Sequence, residues 1–379
     1  MENSLKIRGG VQPSVKTRNS NLELFRILTM LSIVAHHYVV NSGLTAADGV
    51  ILSNPTSIHS LVLLLIGAWG KIGINSFVLI TGYFMCKSNI TLNKFVKLVF
   101  EWLFYKYIIG LIFWITGYSE FSLKEFVKLI IPIKSIGNGF TSAYVVFFLF
   151  IPFLNILVKN INERQHIRLL LLVGFTYVFF ATVPFFSVTF NYVSWFMVLY
   201  LISSYIRLYP KNIYENNTFW GIALLISTVI CSLSVVACAF VFKLGFYRFV
   251  ADSNTLLAVV EAVCAFMFFK NLKMKNCKLI NVIASATFGV LCIHAASDDM
   301  RSWLWGDLLN VVGVHSNGNG YLHIVLSVLG VYSVCTVIDI VRIYLIERPF
   351  FKLWNKMTID LNKKYNLFED KICKKLHIK

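Results

Sequence analysis

Charge is the scarcest commodity in this sequence. Asp, Glu, Lys and Arg make up 14% of its 379 residues, and only 18 of those are acidic. Soluble domains carry about 25% charged residues. A chain this poor in charge, and 57% hydrophobic, cannot present its apolar surface to water, and lipid is its natural solvent. Cysteine is present but without pattern: Cys86, Cys231, Cys238, Cys264, Cys277, Cys292, Cys335 and Cys373 form no Cys-x-x-Cys pair, and most lie in apolar runs. That argues against a zinc site or a disulfide framework and for free thiols packed as small hydrophobes. There is no internal repeat and no low-complexity segment. No small-residue cleavage site follows the first apolar run, so that run is expected to stay as a membrane helix.

What is present is apolar length. A membrane-spanning helix needs about 20 mostly apolar residues. Runs near 22–40, 60–85, 98–117, 142–158, 169–186, 192–206, 219–242, 255–269, 279–297 and 321–341 meet that need approximately. The expected fold is therefore all-α, a polytopic membrane helical bundle of about ten transmembrane helices. The run at 60–85 contains Gly67, Gly70, Gly73 and Gly82 and is expected to be kinked or broken.

The formal net charge of +17 would suit nucleic acid only on a soluble basic face. Here the cations sit between hydrophobic runs and read as topology signals. With the N-terminus inside, the inner segments hold 26 Lys and Arg and the outer segments 6, the other three (Arg26, Lys71, Lys106) lying within helices. Both termini are thus expected in the cytoplasm. Residues 1–20 form a cytoplasmic N-terminal tail, 21–350 the transmembrane domain, and 351–379 a basic cytoplasmic tail suited to anionic head groups. Between helices, residues 118–141 have the spacing of an interfacial helix. Residues 298–320 carry Trp303 and Trp305, either as interfacial anchors or as a sugar-stacking platform.

Ionisable groups at membrane depth are costly and are functional candidates by default. The first span, NLELFRILTMLSIVAHHYV, concentrates Glu23, Arg26, His36 and His37. At about 100° per residue, Arg26 and His37 fall roughly 20° from alignment three turns apart, and His36 roughly 80° off that line. Glu23 and Arg26, at i and i+3, are close enough to pair. Glu23, Arg26 and His37 therefore share one stripe, expected to face a polar cavity between helices. A snorkelling Glu23–Arg26 pair and interfacial histidines are the plainer alternative. Further along, Thr81, Tyr83, His294, Glu347 and Arg348 are secondary candidates.

Taken in order, these motifs resemble membrane acyltransferase family 3, which O-acetylates bacterial surface polysaccharides. The family's acidic residue, Arg, and His eleven residues on look like Glu23, Arg26 and His37, and the doublet His36–His37 followed by Tyr38 is similar to the exopolysaccharide and capsule branch. The family's F-x-x-x-S-G-F resembles Phe77 to Tyr83, with Thr81 for Ser and Tyr83 for the last Phe. Its aromatic helix resembles residues 143–155. Its W-F-x-x-x-Y-L-x-x-x-Y-x-R resembles Trp195, Phe196, Tyr200, Leu201, Tyr205 and Arg207. The motif ending in His resembles Ser285 through His294, and the closing E-R-P is Glu347, Arg348 and Pro349. The likeness runs from about residue 20 to 354.

The resemblance implies transfer of an acyl group, acetyl by expectation, from cytoplasmic acetyl-CoA as co-substrate to a hydroxyl of a cell-surface or lipid-linked polysaccharide. It implies His37 as general base or transient acyl carrier, Arg26 as the group holding a CoA phosphate or developing negative charge, and Glu23 as the residue orienting Arg26. Some relatives carry a fused outer domain, which is not expected here. The expected partners are an acyl-CoA donor, a glycan acceptor and membrane lipid; neither nucleic acid nor a metal is expected, and an oligomer is left open. The expected location is the cytoplasmic membrane of a bacterium, multi-pass. The main rival is a transporter or flippase for the same glycan, and a sensor or scaffold is a third class.

Overall fold

A computed structural model describes residues 18–120, 122–123, 126–127, 139–183, 186, 190–242, 245–316 and 320–358. Among these the chain is helical, with no strand. Each of the ten apolar runs coincides with a helix. Seven are long and apolar enough to cross a membrane: α1 (Ser20–Val40), α2 (Ile58–Met85), α3 (Leu92–Ile115), α4 (Phe140–Asn160), α5 (Glu163–Thr182), α7 (Asn217–Val241) and α11 (Tyr321–Thr358). Two are shorter, α6 (Tyr192–Leu208) and α8 (Leu256–Asn271). The tenth, α9 (Lys278–His294), is bent by 100° from α10 (Asp298–Leu308). The interfacial helix expected over 118–141 and the basic tail beyond 358 fall largely or wholly outside the described residues.

Local sequence sets where the helices begin. Thr91 caps α3 by accepting from the Lys94 N–H, Asn216 caps α7, and Asn162 with Gln165 forms a reciprocal capping box at α5, each satisfying an N–H the first turn would leave free. α10 begins the same way, with Ser297 accepting from Met300. The run at 60–85 is interrupted at Ala68–Trp69, dividing α2 into Ile58–Gly67 and Gly70–Met85.

Packing sorts the helices by depth. α1 lies at the centre, against α2, α8, α9 and α11. α2 is the most enclosed span, 72% buried, whereas α5 at 11% lies at the periphery. Gly82 makes the close approach of α2 to α6 possible, because a Cβ there would stand 2.1 Å from Ser203 Oγ. Asn75 ties the same half of α2 across the bundle: it accepts from Trp195 Nε1 at 2.9 Å and donates to the Ser253 carbonyl at 2.6 Å. Outward-facing Leu225 and Leu233 of α7 and Leu326 and Val337 of α11 form the apolar coat that a bilayer requires.

Candidate active site

The turn of about 100° from His36 to His37 sends the two imidazoles to different helices. His36 Nδ1 donates to the Gly67 carbonyl of α2 at 2.5 Å. His37 turns to α9, where its Nδ1 lies 2.9 Å from His294 Nε2. His294 Nδ1 lies 2.6 Å from the Val290 carbonyl. A carbonyl only accepts, so His294 carries its proton on Nδ1 and presents a lone pair at Nε2. His37 must then donate from Nδ1. With both rings neutral, His37 Nε2 is left with an unshared lone pair. This chain of donors fixes the tautomer that leaves the His37 lone pair on Nε2.

His37 and His36 line a cavity of about 640 Å³ at the outer end of the bundle, as assigned by the Lys and Arg distribution. Three cations line it too, Lys71, Lys106 and Arg301. Lys71 donates to the Tyr192 hydroxyl at 2.6 Å, and Arg301 pairs with Asp298 at 2.6 Å. The bend between α9 and α10 brings Ala295 to Arg301 over the cavity. One carboxylate against three cations gives the cavity an excess of positive charge, suited to a developing oxyanion. Lys71 and Lys106 were legible in the sequence as cations inside apolar runs; Arg301 was not.

Arg26 and Glu23 pair as their spacing requires, Nη1 to Oε2 at 2.9 Å, with Arg18 Nε 3.8 Å from the other carboxylate oxygen. The guanidinium lies 6.0 Å from the Phe77 ring. Eleven residues of helix put Arg26 about 16 Å below His37 along the axis. The two therefore lie at different depths of one face, and of the stripe expected to face a polar cavity only His37 lines this one. Thr81 lies near the Arg26 level through Phe77, accepting from the Tyr144 hydroxyl at 2.9 Å and donating to the Phe77 carbonyl. Tyr83 accepts from Arg207 at 2.7 Å.

Glu347 belongs to a buried ionic cluster that the sequence did not reveal. Arg342 forks onto Asp339 at 2.7 Å, Glu347 at 2.7 Å and Glu101 at 3.2 Å. Lys97 reaches Glu347 at 2.5 Å, and Tyr105 donates to Asp339 at 2.8 Å. Arg348 stands apart: it is exposed and stacks 3.9 Å from the centre of the Tyr344 ring. A second histidine cluster also escaped sequence reasoning. The Tyr38 hydroxyl meets His315 Nε2 at 2.8 Å and His323 Nδ1 at 2.7 Å, and His315 Nδ1 lies 3.0 Å from His59. Among the described residues no three His, Cys, Asp or Glu groups are arranged to hold a metal.

The two tryptophans of 298–320 part company. Trp305 is fully buried, edge-on to Tyr38 with centroids 5.7 Å apart, and has no face left for a sugar. Trp303 is half-buried, edge-on to Phe113.

A polytopic helical bundle with a polar, histidine-bearing cavity at one end defines a multi-pass membrane protein with an interior site. Residues 19–340 match the family model described as an acyltransferase domain, and the chain belongs to acyltransferase family 3: it is a membrane acyltransferase. No curated protein and no solved structure matches it.

Proposed function

We propose that the protein moves an acetyl group from cytoplasmic acetyl-CoA to a hydroxyl of a cell-surface or lipid-linked polysaccharide, in the cytoplasmic membrane of a bacterium with both termini inside. The observation that carries this reading is the free Nε2 lone pair of His37, held by His294 at the wall of a cationic cavity.

In this reading the acceptor hydroxyl enters the outer cavity and gives its proton to His37 Nε2 as its oxygen attacks the thioester carbon. The tetrahedral oxygen carries negative charge beside Lys71, Lys106 and Arg301. The carbon–sulfur bond breaks, the ester is released, and the sulfur leaves as thiolate and takes up a proton as free CoA. An imidazole suits the base because, when neutral, it accepts a proton at one ring nitrogen while the other stays hydrogen-bonded. Arg26, oriented by Glu23, holds a phosphate or the pantetheine end of the donor about three turns below. The step of about 16 Å along α1 gives an extended donor room to reach from the inner side to His37.

The test is transfer of labelled acetyl from acetyl-CoA in membranes, comparing wild type with His37→Ala. Loss of labelled glycan supports the reading. Unchanged labelling removes His37 from it, and glycan that crosses the membrane without ever being labelled restores the transporter.

A further inference from the structure

The wall of the His37 cavity continues sideways into a polar cleft and then into an apolar hollow that opens toward lipid. The polar cleft, about 610 Å³, shares Lys106, Ser297 and Asp298 with the His37 cavity and adds Ser119, Glu120 and Asp299. The hollow, about 560 Å³, shares Ile109, Phe113 and Tyr118 with the cleft and is closed on its far side by Ile293, Met300 and Trp303. Its mouth lies between α3 and α10, beside the outward-facing Ile112. Two short hydrogen bonds tie the turn after α3 to α10 at the boundary. Tyr118 donates to Asp307 and Ser119 donates to Asp299, each at 2.6 Å.

One continuous surface thus passes from a base, through carboxylates and hydroxyls, to a greasy slot facing the bilayer. Carboxylates and serine hydroxyls match the hydroxyls of a sugar. The apolar slot matches a hydrocarbon chain, whose burial is favourable chiefly when it leaves water. A chain already in lipid gains little from the slot itself, so its value is in position: it holds the head group in register with His37.

We infer that the acceptor is a glycolipid that enters sideways from the outer leaflet, its hydrocarbon anchor seated between α3 and α10 and its sugar in the cleft beside His37. This rests on the acyl-transfer reading for the chemistry but not for the binding. Acylation then acts on an acceptor still attached to its lipid, and the reaction that releases the glycan from that lipid must follow it.

The experiment uses the full chain in nanodiscs of phosphatidylethanolamine and phosphatidylglycerol. The probe is a dodecyl glucoside with a diazirine at the end of its alkyl chain, and crosslinked residues are mapped by peptide mass spectrometry. Crosslinks concentrated on α3 and α10, competed by dodecyl maltoside but not by maltose, are the expected result. Ile112→Trp narrows the mouth and lowers labelling about tenfold. Val229→Trp, on the outward face of α7, leaves it unchanged and controls for folding. Labelling spread over all lipid-facing helices, or unaffected by Ile112→Trp, means ordinary bilayer lipid fills the hollow and overturns the inference. Concentrated labelling in a protein whose His37→Ala variant still transfers acetyl normally leaves the port standing and removes the His37 mechanism instead.

Discussion

Gly70 lies flat against the imidazole of His36: a Cβ on Gly70 would stand 2.2 Å from His36 Cγ and 2.3 Å from Cδ2. The glycine opens the second half of α2 just past its break, and the space it leaves is what lets His36 reach the Gly67 carbonyl. By helix propensity alone, alanine would be better here by about 1 kcal/mol. The contact reverses the sign, since overpacking costs about 1–3 kcal/mol. Gly70→Ala is therefore expected to lower the thermal midpoint of the detergent-solubilised protein and to reduce transfer, by pushing His36 and with it the outer end of α1. An unchanged melt and unchanged rate would show that the ring has room to move.

The imidazole pair gives a graded expectation. His37→Ala removes the base and should cost about 10²–10⁴-fold in turnover. His294→Phe keeps an aromatic ring but removes the acceptor for His37 Nδ1–H, freeing the ring to turn and to exchange tautomers. It should lower turnover by less than His37→Ala, with a smaller effect on the KM for the donor. Steady-state transfer rates for both variants decide it, and an inert His294→Phe would leave His37 oriented by something else.

Arg342 is the single guanidinium on which Asp339, Glu347 and Glu101 converge. Removing one partner of a buried ionic group costs about 3–5 kcal/mol, because the remaining charge loses its compensation. Arg342→Leu should thus fail to accumulate or melt far below wild type. Arg342→Lys should recover only part of the loss, since an ammonium cannot reproduce a fork onto several carboxylates. Expression level and thermal midpoint are the measurements.

The outer histidine cluster makes stability depend on pH. Burial, reinforced by neighbouring His59 and His323, lowers the His315 imidazole from 6.5 to about 4. Between those values the unfolded chain binds a proton that the folded chain refuses. Stability should therefore fall as pH drops from 6.5 toward 4, and this group should contribute no slope above 6.5. His315→Gln should flatten that part of the curve. Thermal midpoints from pH 4 to 7 in both proteins check it, and equal slopes would assign the dependence elsewhere.

Much of the fold is legible in the residues because its rules are local. Apolar length gave the position of each helix, and the glycines in 60–85 gave the broken one. The i, i+3 spacing of Glu23 and Arg26 gave their ion pair, and helical geometry put His36 off the line of Arg26 and His37, though not which helices the two rings meet. The bend after His294 was less visible: Ala295 to Ser297 carry no proline or glycine, and Ser297 signals a new helix start only by its capping side chain.

The sequence by itself determined which residues lie in lipid, and which side of the first span carries Glu23, Arg26 and His37, because helical geometry and the cost of burying charge act along one chain. Only the tertiary structure decided that His37 leans on His294, 257 residues away, that Arg342 gathers three carboxylates, and that the outer cavity runs on into a lipid-facing hollow. A helical period fixes the direction in which a side chain points; which neighbour stands there depends on how α1, α9 and α11 pack, and no spacing within one helix encodes that.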